Sequence, residues 1–229
     1  MQILNLTRKL TSNQKIFLVE IIGTFVVVVC ATGSVILNAK YNGTVGSWFE
    51  AFAPFVGVCL MVYAFGKISR AHFNPAVTVS YFITKHITKK QLPIYFAAES
   101  IGAFLGIIFV ENFIGTEAHL GVNAPNYSFP LWMIFGVEVL ATALLMAVIL
   151  CVVHTNGLRG FSGIAIGGII GLDIFFLAFI SGASMNPIRS LAPAVFSGIY
   201  DNLWLYWSAT FVGSGVVGII YRKKFSKII

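Results

Sequence analysis

Two boxes in this sequence hold residue types that can act on a solute in an apolar setting. They are Asn74-Pro75-Ala76 and Asn186-Pro187-Ile188, about half a chain length apart. Proline has no N–H to lose at the first helical position, and Asn just before it is a good cap. Each box therefore reads as the start of a helix of roughly three turns. A helix N-terminus carries roughly +0.5 charge. Two such helices meeting N-terminus to N-terminus oppose a cation or a hopping proton. The Asn amides meanwhile donate to the oxygen of a passing water, so neutral molecules cross and ions do not. Arg189 lies one turn into the second helix, and an intramembrane Arg is a functional residue by default. It reads as an outer constriction that donates hydrogen bonds and repels cations. Glu20 and Glu138 are the other costly groups. Each can accept from loop N–H groups that hydrocarbon cannot satisfy. Structural support of the loops is favoured over proton transport for both.

The elements that must position these residues follow from composition. Of 229 residues, 58% are hydrophobic and 10% are charged, with a mean hydropathy of +0.88. Soluble domains carry about 25% charged residues. An ordinary cytosolic enzyme, a disordered chain and a nucleic-acid-binding domain are excluded. The net charge of +7 is spread thinly between apolar runs. Six runs are long enough to span a bilayer: roughly Ile16–Leu37, Ser47–Gly66, Leu92–Ile114, Pro130–Val153, Phe161–Ile180 and Leu203–Tyr221. All basic residues except Lys40 and Arg189 fall on one side of these spans. The positive-inside rule then puts both termini in the cytoplasm. The connections 67–90 and 181–202 are too apolar for plain loops and carry the Asn-Pro boxes.

The chain reads as one channel domain made of two halves, about 16–114 and about 130–221. Glu20-Ile21-Ile22-Gly23-Thr24 opens the first span, and Glu138-Val139-Leu140-Ala141-Thr142 lies early in the fourth. Three spans per half is odd, so the halves enter the membrane from opposite sides. Interrupted helices at corresponding positions of an inverted repeat mark the site near the midplane. Gly163, Gly167 and Gly171, like Gly102 and Gly106, recur at a spacing that lets helices cross closely. Cys30, Cys59 and Cys151 read as small buried hydrophobes. No nucleophile–base set or metal-ligand cluster stands out among four His residues. No enzyme activity and no cofactor are expected.

At these boxes the sequence resembles the aquaporin family of major intrinsic proteins, from about Ile16 to Tyr221. The motifs are His72-Phe73-Asn74-Pro75-Ala76-Val77-Thr78, Ser181 through Ser190, and the two Glu-x-x-x-Thr openings. The resemblance implies an all-α membrane protein: a right-handed bundle of six transmembrane helices plus two re-entrant half-helices. It also implies a homotetramer in the plasma membrane, with passive conduction of water and sometimes other small neutral solutes. Nucleic acid is not a partner. The family's outer filter carries over onto Pro54 (or neighbouring Phe55 or Phe52), Ile174, Ala183 and Arg189. Strict water channels usually have His at the Ile174 position. This more apolar wall is similar to the plant nodulin-type branch.

Several positions depart from the family. Ile188 replaces Ala in the second box, which implies a narrower or shifted midplane. Ser190 stands where glycerol facilitators usually have Asp. Lys67 and Arg70 replace the usual His and Gly, and a solvated basic loop is favoured over a gate there. Glu99 stands where Gln is common, and Asp173 neighbours a pore position. Three functions remain: a water channel with neutral-solute leak, a channel chiefly for a small neutral solute such as glycerol, urea, ammonia or a metalloid acid, and an ion-coupled secondary transporter. Asn rather than a titratable group at both broken helices favours a channel.

Overall fold

The computed structural model describes residues 10–225. Arg8, Lys9 and Lys227, which the charge pattern assigns to the inner side, lie outside the described residues. Among the described residues, six helices are long and apolar enough to cross a membrane. They are α1 (Ser12–Lys40), α2 (Ser47–Ser69), α4 (Leu92–Phe113), α5 (Leu131–His154), α6 (Ser162–Ser181) and α8 (Leu203–Phe225). Two shorter helices, α3 (Pro75–Ile83) and α7 (Pro187–Ser197), begin at the Asn-Pro boxes. A one-turn 3₁₀ segment, Arg159–Phe161, leads into α6. The described residues contain no strand.

Helix α1 starts four residues before the apolar run because polar residues cap it. Thr11 accepts from the Gln14 N–H, and the Gln14 side chain accepts from the Thr11 N–H. This capping box satisfies two end donors that α1 itself cannot. At the other end, the Lys40 ammonium donates to the Ile114 carbonyl at 2.9 Å, tying α1 to the end of α4.

Glycines set how closely the spans approach. In lipid, helices associate through close packing rather than water release, so small residues gather where backbones touch. A Cβ on Gly102 would sit 2.4 Å from the Ile21 carbonyl oxygen, where α4 crosses α1. A Cβ on Gly213 would sit 2.4 Å from the Val139 oxygen, where α8 crosses α5. Gly163, Gly167 and Gly171 of α6 face the carbonyls of Cys59, Phe55 and Ala51 on α2. These glycines thus pack helices within one chain. Of the cysteines, Cys30 and Cys59 are half-buried, while Cys151 is exposed against the expectation of burial.

At the basic end, the loop after α3 is tied to α5. His86 and His154 approach Nε2 to Nε2 at 2.6 Å. His154 Nδ1 donates to the Leu150 carbonyl, and His86 Nδ1 bonds the Thr84 hydroxyl at 2.7 Å. The His154 Nε2 is therefore an acceptor, and His86 supplies the shared hydrogen. Burial first, then neighbouring His154 and Arg70, lowers the His86 pKa from 6.5 to about 4.

Two outcomes follow. Gly167→Val should destabilise the α2–α6 contact by about 1–3 kcal/mol through overpacking, seen as a lower melting temperature in detergent. Acid should also weaken the fold. Between pH 6.5 and about 4 the unfolded chain binds a proton at His86 that the folded chain does not. Stability therefore falls as pH drops through that window and levels off below it. His86→Gln should flatten this part of a pH–melting curve.

Candidate functional site: a conduit between two half-helices

The chain reverses into α3 and α7 through strained backbone. Arg70, Ala71 and Phe73 have φ of 69°, 52° and 51°, and Gly182, Ala183 and Met185 have 87°, 42° and 54°. Left-handed non-glycine residues persist only where their surroundings over-determine them. Here buried carboxylates do so. Glu20 accepts from the N–H of Phe73 at 2.7 Å and of His72 at 3.0 Å. Glu138 accepts from the N–H of Met185 at 2.6 Å and of Ser184 at 3.2 Å.

The loops correspond group by group. Ser69 and Ser181 donate to Glu20 and Glu138, and each accepts from an alanine N–H two residues on, at 3.1 Å. Tyr95 and Tyr206 donate to the Ser69 and Ser181 carbonyls at 2.5 and 2.6 Å. Residue type alone does not mark these two serines and two tyrosines. Their matching places around the two boxes and in the third span of each half were the available signal. Residue type does not mark Gly23 either, which admits the Phe73 ring: a Cβ there would lie 1.9 Å from a ring carbon.

The two asparagines cap their helices and cross-link the loops. Asn74 Oδ1 accepts from the Ala76 N–H at 2.9 Å, and Asn186 Oδ1 from the Ile188 N–H at 3.1 Å. Asn74 Nδ2 donates to the Met185 carbonyl at 2.8 Å, and Asn186 Nδ2 donates to the Phe73 carbonyl at 2.9 Å. Each amide has two N–H donors, so one per Asn remains. Both residues line a narrow cavity of about 50 Å³. A water needs about 10–15 Å³ of such space, so the cavity holds only a short file of waters.

Pro54, Ile174, Ala183 and Arg189 line the same cavity. Phe55 is not among its lining residues: it packs against Gly167 and Gly171 at the α2–α6 crossing. Phe52 is half exposed and likewise absent from the wall. The expectation that Ile188 narrows the midplane is also corrected. Ile188 is buried against Val28, Ala103 and Ile107, away from the cavity. Pro75, Ala76 and Pro187 are buried in the first turns of their helices and do not reach it. Arg189 is buried, and its Nη1 has no hydrogen-bond partner among the described residues.

The halves differ one step further out. In the first, Thr78 donates to Glu99 at 2.6 Å and the Asn74 N–H reaches the same oxygen at 3.3 Å. Thr78 then accepts from His72 Nδ1 at 2.8 Å. The His72 ring is stacked against Tyr81 and Tyr95 and lines the cavity, while its Nε2 is buried with no hydrogen-bond partner among the described residues. In the second half, Ser190 donates instead to Asn123, which itself holds the Gly182 carbonyl. Asp173 is buried, its Oδ2 has no partner among the described residues, and it does not line the cavity.

Wider cavities open at both ends. One of about 360 Å³ shares Ile174 and Arg189 with the narrow section. The other, about 820 Å³, shares Ile166. Six spans around an hourglass-shaped path, closed by two half-helices, define a channel-type membrane protein. The chain matches the major intrinsic protein family over residues 7–221 and belongs to that family. It is 34% identical over 214 residues to the probable aquaporin NIP4-2 of Arabidopsis thaliana, covering 89% of this chain and 72% of that one. It is 37% identical over 203 residues to the aquaporin NIP1-1 of Zea mays, covering 88% and 71%. The X-ray structure of the aquaglyceroporin from Plasmodium falciparum shares the fold, with a TM-score of 0.75 at 24% identity over 94% of this chain and 96% of that one.

Glu138→Ala should orphan the Ser184 and Met185 N–H groups, each costing about 1–3 kcal/mol when buried and unpaired. The expected result is a large fall in melting temperature and in monodisperse yield. Glu138→Gln, which keeps one acceptor oxygen, should fall less.

Proposed function

We propose that Asn74, Asn186 and the wall formed by Pro54, Ile174, Ala183 and Arg189 carry the selectivity of this channel. The protein is a multi-pass membrane channel for water and small neutral solutes. The observation that carries the assignment is the hourglass: a section about 50 Å³ in volume between cavities of about 360 and 820 Å³, with both Asn residues and Arg189 in its wall. A permeant there must shed most of its hydration. The remaining Asn donors and Arg189 replace part of that shell for a water or an alcohol. For an ion, the two half-helix N-termini and the buried guanidinium raise the barrier. Glu20 and Glu138 act through the loops they hold and not on the permeant.

A channel chiefly for a small neutral solute is the second reading, favoured by Ile174 and Ala183 in the wall. Apolar side chains there leave space and remove a donor that would favour water. We place the protein in the plasma membrane with both termini cytoplasmic, on the charge asymmetry of its connections. Four copies form the working assembly, as in the family it belongs to, and it does no enzymatic chemistry.

Stopped-flow light scattering on proteoliposomes tests this. An impermeant osmolyte reports water, and glycerol, urea or ammonia gradients report solutes. The protein should raise permeability above empty vesicles, and no increase for any of them would sink both channel readings. Ile174→His should lower solute flux more than water flux; equal effects would remove Ile174 from the filter.

A further inference from the structure

The wider basic-end cavity has a composition that channel function alone does not explain. Lys67, Arg70 and Arg159 line it, with Ser162, His86 and His154, and none of its lining residues is acidic. The three cations come from three places: Lys67 from α2, Arg70 from its left-handed cap, and Arg159 from the turn before α6. The preference of basic residues for one side of a membrane accounts for the side they occupy. It does not account for their convergence on one rim.

Arg70 adds a second observation. Its φ of 69° is a conformation that favours glycine, and the corresponding position in the second half is Gly182, with φ of 87°. The first half thus carries a long cation where the backbone alone would favour no side chain. Arg159 is held as well: its Nε donates to the Val153 carbonyl at 3.0 Å, leaving the Nη donors for another acceptor. A planar guanidinium fixed in this way matches the paired oxygens of a phosphate.

We propose that this cavity binds a phosphate group and that the bound anion obstructs the conduit. Arg159 and Arg70 hold its oxygens and Lys67 neutralises the remaining charge. The cavity shares Ile166 with the narrow section, so an anion seated there lies at the mouth of the permeant's path. The phosphate comes either from a free ion or from a lipid headgroup. The obstruction rests on the channel reading, whereas the binding does not.

Two measurements separate these. Phosphorus NMR of inorganic phosphate with the detergent-solubilised protein should show line broadening that is lost in Arg70→Gly and Arg159→Gln. Arg70→Gly suits the local backbone, so a folding defect is not expected from it. In phosphatidylcholine vesicles, sodium phosphate on both sides should slow water flux against sodium chloride at equal ionic strength. The fall should be about twofold when the phosphate concentration equals Kd, since half the sites are then filled. Vesicles doped with phosphatidic acid should be slow without added phosphate if the headgroup is the source. Neither broadening nor slowing by either source, in protein whose basal flux exceeds empty vesicles, overturns the proposal. Slowing that survives in both variants overturns the assignment to this cavity. Broadening in protein with no basal flux keeps the site and defeats the channel reading instead.

Discussion

Hydrocarbon offers no hydrogen bonds, and most of this structure is an answer to that. Two helices are broken deep within the bundle, exposing peptide N–H groups where water cannot serve them all. Buried carboxylates on α1 and α5 take two N–H groups from each loop. Ionisable groups in a membrane are costly, and these are tolerated because the strained loops they satisfy are costlier without them. The close helix crossings at Gly102 and Gly213 bring α4 and α8 against the same helices that carry Glu20 and Glu138. Tyr95 and Tyr206, on α4 and α8, then complete the loops. Close packing and polar satisfaction are therefore one construction.

Much of this was legible in the sequence. Spans in lipid must be long and apolar, so hydropathy marks them, and the Asn-Pro boxes mark helix starts through local capping chemistry. The costly residues Glu20, Glu138 and Arg189 drew attention because their burial demands a reason. What stayed hidden was of ordinary type. Ser69, Ser181, Tyr95 and Tyr206 look like residues of any span, and only the folded loops show that their hydroxyls meet carbonyls and carboxylates. Gly23 reads as one more small residue until Phe73 lies over it.

Two further misreadings share a cause. Ile188 occupies a motif position, yet a residue on the first turn of a helix points where the helix turns it, here into the core. Phe55 adjoins Pro54 in sequence, but neighbours on a helix lie about 100° apart, so one lines the cavity and the other the crossing with α6. The Glu99–Thr78–His72 arrangement was illegible for another reason. It departs from the two-fold correspondence, so comparing the halves did not expose it. The first loop rests on a span residue, Glu99, and the second on a connection residue, Asn123.

The crossed amides of Asn74 and Asn186 bear on how the protein is made. Each donates to a carbonyl of the other loop. While the first half alone is in the bilayer, the Phe73 carbonyl and one Asn74 donor have no native partner, and they gain one only when the second half docks. Insertion in chain order passes through a stage in which a finished set of three spans holds an open loop. The path for permeants is completed last, when these two bonds link the loops of the two halves.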